Sequence, residues 1–454
     1  MPAQCVTTAR DTTHSLSTPA WPVKWIASRR GNSSTRPSHV LDSPVRVCSC
    51  QRATDLTHLD EELRSREWLG AGMLHQAVGD VGGGMAQIAV HRGGGAGRWR
   101  MRVFATGATG LVGAHTVLAL LDAGHEMRLL VRDEPRARRW FESRGQHIER
   151  FVTVDITDQA AVQHAMAGCD AVFHAAASVS LDPRKGRETY DTNVGATRAV
   201  LGAAHALGIG KMLYVSSVAA LFHPGAARVD ESTPLADVSE AYSRSKRDSE
   251  EYVRELQQRG LPVQITYPVA VVGPDDPKLS AANRALATFV GQMLPRSTTG
   301  FQCVDVRDLA QAHQWLLAHP PSRAFEDARY IIGGHFYAWD QLRERLEALL
   351  GRRIFSPRVS PRLIRAIGTT ADRAKKLVPF ETQISAESMA INTLWPPADS
   401  SRFVAKSGLC FRPGEETLGD TIRWMVEAGH IPVKKAGRLG TPHAVSVIER
   451  HGAP

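Results

Sequence analysis

From residue 101 onward, apolar and polar positions change period repeatedly along the chain. Short apolar runs at 101–106, 126–131, 149–154, 170–175, 211–216 and 263–267 alternate with segments at 111–123, 136–144, 158–167, 187–207 and 241–259, whose apolar residues recur every three or four positions. Short runs bounded by turn residues predict strands buried on both faces, and the longer period predicts amphipathic helices. Their alternation predicts βαβ units, hence an α/β fold with a doubly wound parallel sheet. A ligand crevice then lies at the carboxyl ends of the strands, where the strand order reverses. After about residue 270 the alternation loosens. Helical patterns at 281–292, 307–318, 338–350, 360–377 and 415–428 predict a smaller, mostly helical lobe over that crevice.

Residues 1–100 carry no such pattern. They are rich in Ser, Thr, Arg, Pro and Gly, only 56–69 has helical character, and glycine triplets stand at 82–84 and 93–95. This composition cannot bury enough apolar surface to offset chain entropy, which predicts disorder. Met101 directly precedes the first strand, so 1–100 also reads as a spurious N-terminal extension. No apolar segment of signal-peptide length follows Met1, and Asp60-Glu61-Glu62 argues against a transit peptide. The stretch 433–454 is expected to be a flexible tail.

Composition narrows the function classes. Of the 454 residues, 43% are hydrophobic and 22% charged, as in a soluble globular protein, and no apolar run is long enough for an integral membrane segment. The net charge of +9 is spread along the chain, with no Lys/Arg block of five. That excludes a nucleic-acid role and suits a polyanionic small molecule. Six cysteines are too sparse for a disulfide framework: Cys48 and Cys50 lack C-x-x-C spacing, and Cys5, Cys169, Cys303 and Cys410 stand alone. They read as reduced thiols of a cytoplasmic protein. His313, His319 and His335 lack ligand spacing, so no metal is expected. Trp395, Phe411 and Trp424 are expected in the core. Pro361–Leu377, basic and partly amphipathic, is expected to be a lid or packing helix.

Candidate chemistry starts at the first turn, Thr106-Gly107-Ala108-Thr109-Gly110-Leu111-Val112-Gly113. A strand precedes this glycine string and a helix follows it, which is the context of a Rossmann dinucleotide site. Gly107 permits the tight turn, Gly110 lets backbone approach a pyrophosphate, and Gly113 allows close helix–sheet packing. Thr109, Leu111 and Val112 complete the phosphate-facing turn. Arg132 directly follows the second strand, where an arginine favours the 2′-phosphate of NADP(H) and an acid would favour NAD(H). Asp133 comes second, and Arg136, Arg138 and Arg139 add positive charge or form a solvated face. Asp155 and Ile156 follow the third strand. Asp155 is placed to meet the adenine amine, and Asp155 or Thr157 is equally placed to cap the next helix.

Tyr242 and Lys246 are four residues apart on a predicted helix and so share one face. An ammonium one turn from a phenol stabilises the phenolate, which lets Tyr242 exchange a proton with a substrate oxygen near neutral pH. Ser217, at the carboxyl end of the fifth strand, can donate a hydrogen bond to the same oxygen. Lys246 can also hold nicotinamide-ribose hydroxyls.

Together these residues resemble an extended short-chain dehydrogenase/reductase of the NAD-dependent epimerase/dehydratase superfamily, over about 101–431. The matches are 106–113, Asp170-Ala171-Val172-Phe173-His174-Ala175-Ala176-Ala177, Asn193-Val194, Val215-Ser216-Ser217, Tyr242 with Lys246, and Val304-Asp305-Val306-Arg307-Asp308-Leu309-Ala310. Val131-Arg132-Asp133-Glu134-Pro135 is most similar to the dihydroflavonol 4-reductase branch, with 3β-hydroxysteroid dehydrogenases as neighbours. The resemblance implies Ser217, Tyr242 and Lys246 as catalytic, and Ala175, Ala176, Ala177, Asn193 and Pro268 near the cofactor. Asn193 also reads as a backbone bridge, and His174 as packing or backbone support. Two positions depart from the family pattern: Tyr267 stands before Pro268 in place of an arginine, and Val272 before Gly273 in place of a tyrosine.

The expectation is therefore an NADP(H)-dependent oxidoreductase that interconverts a ketone and a secondary alcohol on a hydrophobic small molecule, and that is able to form a homodimer. Residues 101–270 hold the nucleotide, and 271–432 form a substrate lobe interleaved with the last sheet elements. Two alternatives stand: an NAD-dependent nucleotide-sugar epimerase or dehydratase, with Lys278, Arg284 and Arg296 near the substrate, and a non-catalytic NADP(H) sensor.

Overall fold

The computed structural model describes residues 100–178, 185–237, 241–321, 328–377 and 384–440. The expected disorder at 1–99, the far tail 441–454, and Cys5, Cys48 and Cys50 lie outside the described residues. Six strands appear where the apolar runs place them: β1 (Arg102–Thr106), β2 (Glu126–Leu130), β3 (Arg150–Val152), β4 (Ala171–His174), β5 (Met212–Val215) and β6 (Val263–Pro268). Between them run α1 (Leu111–Asp122), α2 (Glu134–Glu142), α3 (Gln159–Met166), α4 (Gly186–Ala206) and α5 (Ala241–Gln258). β1, β4, β5 and β6 are buried over nearly their whole length, as strands covered on both faces must be. Asp133 caps α2 through the Arg136 amide and Asp158 caps α3 through the Ala160 and Ala161 amides, each satisfying orphan N–H groups.

After β6 the chain turns mostly helical, as the sequence predicts, with short strands set among the helices. It adds β7 (Ala270–Val272), α6 (Ala281–Gly291), β8 (Gly300–Asp305), α7 (Val306–Ala318), β9 (Arg329–Ile332), β10 (His335–Ala338), α8 (Trp339–Leu350), α9 (Pro361–Leu377), α10 (Ala386–Leu394), α11 (Ser401–Ser407), α12 (Gly414–Glu427) and α13 (Val433–Ala436). β9 returns to the main sheet, which is a seven-stranded parallel sheet of order β3-β2-β1-β4-β5-β6-β9. β7, β8 and β10 form a separate mixed sheet, with β7 parallel and β10 antiparallel to β8. The start of the stretch expected to fray is ordered: Ala436 of α13 is fully buried beside Leu350 and Ile431.

Each sheet carries its own apolar cluster. Phe104, Leu129, Phe173, Leu213 and Ile265 lie in the first, and Val272, Leu286, Trp339, Leu346 and Ile422 in the second. Trp395 and Phe411 pack partly buried on the first, and Trp424 on the second. Full burial of one such side chain contributes about 1.5–3 kcal/mol. The segment 304–310 is tied to the chain around α12: Asp305 caps α7, Arg307 pairs with Asp305 at 2.7 Å and Asp420 at 2.9 Å, and Arg412 pairs with Asp308 at 2.7 Å. α9 packs against α10 and leaves Leu363 and Ile367 largely exposed. Among the described residues, no helix is long and apolar enough to cross a membrane.

Candidate active site

The strand order reverses between β1 and β4, and the two turns leaving these strands meet there. Gly107 has φ +76°, and a Cβ on it would stand 2.6 Å from the Ala175 carbonyl carbon. A Cβ on Gly113 would stand 2.2 Å from the Gly107 oxygen, so helix and turn close only on glycine. Gly110 differs: its nearest neighbour would be the Gly107 oxygen at 3.5 Å, so the space beside it is open. No side chain caps the start of α1 and no acid occupies its first turn. Leu111 packs into the fold and Val112 is half-buried, so the unpaired N–H groups and the positive end of the helix face the crevice. These features fit a dinucleotide pyrophosphate.

A buried polar chain supports the turns. The Ala176 amide donates to Thr106 Oγ1 at 3.3 Å, and Thr106 meets His174 Nδ1 at 2.7 Å. His174 Nε2 meets Thr197 Oγ1 at 3.3 Å, and Thr197 donates to the Asn193 carbonyl at 3.0 Å. Burial, reinforced by the Lys246 charge, lowers the His174 pKa to about 3, so the ring is neutral and spans three elements. Ala175 and Ala176 are half-buried and Ala177 is exposed at the mouth.

At the outer end, Arg132 is exposed just past β2, and the loop following β7 folds over α1 and α2. His115 Nε2 meets the Pro274 carbonyl at 3.0 Å, Arg144 pairs with Asp275 at 2.8 Å, and Arg136 donates to the Pro277 carbonyl at 3.4 Å. Beside this loop lies a cleft of about 260 Å³ lined by Ala108, Thr109, Arg136, Arg139, Trp140 and Pro277. Partial burial and the charges of Arg132 and Arg136 hold the Lys278 ammonium below its ordinary pKa. Asp155 does not cap α3, because Asp158 takes that place. Its Oδ1 accepts the Thr157 amide at 2.9 Å and hydroxyl at 2.8 Å, which lowers its pKa. Ile156 is half-buried against the apolar core.

At the inner end, α5 lies across the carboxyl end of β5. Lys246, 5% exposed, donates to the Val215 carbonyl at 3.1 Å, two residues before Ser217. Ser217 opens a short 3₁₀ turn (Val218–Leu221) by accepting the Ala219 amide at 3.1 Å, which leaves its own proton to donate. Tyr242 is half-buried one turn before Lys246. Asn193 holds the Ser178 amide at 2.7 Å and carbonyl at 3.0 Å, and donates to Ser245 Oγ at 2.9 Å; Ser245 donates to the Tyr242 carbonyl at 2.7 Å. Pro268 is buried at the end of β6, paired with Ile332. Burial lowers the Lys246 pKa to about 8, against the opposing pull of Glu250.

A profile of the NAD dependent epimerase/dehydratase family matches residues 103–333. The chain belongs to this family. It is an NAD(P)-dependent oxidoreductase of the extended short-chain type. A Synechocystis protein bearing a provisional dihydroflavonol 4-reductase name is 28% identical over 338 residues, covering 72% of this chain and 95% of its own. "Sterol demethylase protein B" of Methylococcus capsulatus is 29% identical over 336 residues, covering 73% of this chain and 100% of its own. The crystal structure of gox2253 superposes with a TM-score of 0.62 at 26% identity, covering 73% of this chain and 100% of that one.

Within this epimerase/dehydratase frame, one group escaped the sequence reading. Glu250 is fully buried and accepts from Ser216 Oγ at 2.5 Å, from the Tyr267 hydroxyl, and from Arg254 Nε at 2.9 Å and Nη2 at 2.7 Å. Tyr267, one of the two departures, is thus a donor inside the core. The signal was present in the sequence, since Tyr242, Lys246, Glu250 and Arg254 follow one another at four-residue steps.

Proposed function

We propose that this protein interconverts a ketone and a secondary alcohol on a hydrophobic small molecule, with NADP(H) as hydride carrier. One observation carries the reading: a buried ammonium of lowered pKa is anchored beside Ser217, one helical turn from Tyr242. A phenol with an ordinary pKa of ~10 is a poor acid at neutral pH, and a desolvated cation nearby lowers it. Tyr242 then delivers its proton to the substrate oxygen and recovers it in the reverse direction. Ser217 donates to the same oxygen and fixes the carbonyl. The cofactor would supply the hydride, held by the 107–113 turn, the amides after β4 and, on its ribose, Lys246.

NADP(H) is preferred on the strength of Arg132, Arg136 and Lys278, which share the outer end of the crevice. Among the described residues none of the three has a carboxylate partner within ion-pair distance. A 2′-phosphate held there would offer all three a counter-charge. Half-buried Phe222 stacks on Trp395 at 5.5 Å, directly after the Ser217 turn, and supports an apolar substrate, as does the sterol named in one relative.

The test is NADPH and NADH oxidation against steroid, flavonoid and sugar-nucleotide ketones. The expected outcome is NADPH-dependent reduction of an apolar ketone, lost in Tyr242→Phe with NADPH binding retained. Full activity in Tyr242→Phe overturns the mechanism.

A further inference from the structure

Glu250 lies outside the proton path described above, yet it touches the strand end that carries Ser217. Lys246 and Glu250 grip β5 at successive residues: Lys246 Nζ holds the Val215 carbonyl at 3.1 Å, and the Glu250 carboxylate holds Ser216 Oγ at 2.5 Å. The Ser216 amide is also fixed, donating to the Thr266 carbonyl at 2.8 Å. The next residue is Ser217. Both grips come from the α5 face that presents Tyr242, so the carboxylate sets the distance between the two ends of the reacting pair. We infer that Glu250 is the positioning residue of this site: it locks the Ser217 strand end onto the Tyr242 helix. The inference rests on the reading of Tyr242, Lys246 and Ser217 given above.

A fully buried carboxylate is costly unless its partners are good, and this one is held by Ser216, Tyr267 and Arg254. Tyr214 of β5 also faces it, its phenol pushed up by burial and by the Glu250 charge. Around Lys246 stand the Tyr214 ring at 5.6 Å, neutral His174 of β4, and Tyr242 and Glu250 of its own helix. Glu250 is the one anion in that set. Removing its charge therefore lowers the Lys246 pKa further.

The test is the pH profile of kcat/KM for ketone reduction, with NADPH affinity and thermal melting measured alongside. Glu250→Gln is expected to lower kcat about 10- to 100-fold, to leave NADPH affinity within about twofold, and to move the alkaline limb down by about one pH unit. Glu250→Asp restores the charge but not the reach: the limb returns and kcat stays low. Ser216→Ala breaks the grip and keeps the charge, so kcat falls about tenfold with the limb unmoved. A merely structural carboxylate would lower the melting temperature and leave the limb of the folded enzyme in place, which overturns the proposal. Should Glu250→Gln fail to fold, Ser216→Ala at wild-type kcat overturns it. If Tyr242→Phe is inactive while Glu250→Gln and Ser216→Ala behave as wild type, this inference fails alone; if Tyr242→Phe is fully active, the underlying reading fails.

Discussion

At Lys246 burial and charge oppose each other. Desolvation drives the amine toward neutrality, Glu250 holds it cationic, and the balance leaves a pKa of about 8. The cation is present below that value and lost above it, so ketone reduction should decline as the pH rises through 8. Lys246→Arg, whose guanidinium does not titrate, should move that decline upward by more than one unit, even though a planar group fits poorly against the Val215 carbonyl and lowers kcat. The pH profile of kcat/KM checks this. At the outer end, Arg132→Ala should weaken NADPH about 10- to 100-fold and NADH little, because a charge-assisted hydrogen bond is worth about 1.5–3 kcal/mol. Lys278→Gln should do the same about fivefold. Titration calorimetry with both dinucleotides separates a phosphate contact from general damage.

At the scale of elements, the β1–α1 turn separates stability from binding. Gly113→Ala places a methyl on backbone oxygen, which cannot yield, and should lower the melting temperature and abolish dinucleotide binding together. Gly110→Ala meets nothing closer than 3.5 Å. It should melt as wild type and still lose dinucleotide affinity, because the methyl occupies the pyrophosphate's approach. This turn was legible in the sequence because its glycines, strand and helix are contiguous. The five βα repeats were legible for the same reason, since buried strands and amphipathic helices differ in period over short windows. β7, β8, β9 and β10, of the same lengths as β1–β6, were not, because no regular alternation with amphipathic helices marks them and they are fixed by distant partners such as Cys303 opposite Ala270 and His335. The α3 cap falls on Asp158 rather than on Asp155 or Thr157, since these side chains offer the same chemistry and only backbone geometry chooses. The Asn193–Ser245–Tyr242 link and the Glu250 grip join residues far apart in sequence, and their traces there were the bridging reading of Asn193 and one periodic helix face.

The main sheet and the helices packed on it are tied together by two neutral histidines. His174 joins β1, β4 and α4, while His313 meets Thr116 of α1 at 2.9 Å and Thr266 of β6 at 3.1 Å. Burial lowers both to about 3, against ~6.5 in an unfolded chain. Between those values the unfolded state binds more protons, so stability is lost as the pH falls, by about 2–3 kcal/mol per histidine from pH 6.5 to 4.5. Melting curves should show this acid loss, and His313→Gln, which cannot titrate, should flatten it. The proton-transfer claim has a more direct test in a crystal structure with NADP⁺ and a bound ketone analogue. The account predicts the analogue oxygen within about 3 Å of both the Tyr242 hydroxyl and Ser217 Oγ, with its carbon about 3–3.5 Å from the nicotinamide C4. A Tyr242 hydroxyl turned away from C4, out of reach of that oxygen, would contradict it.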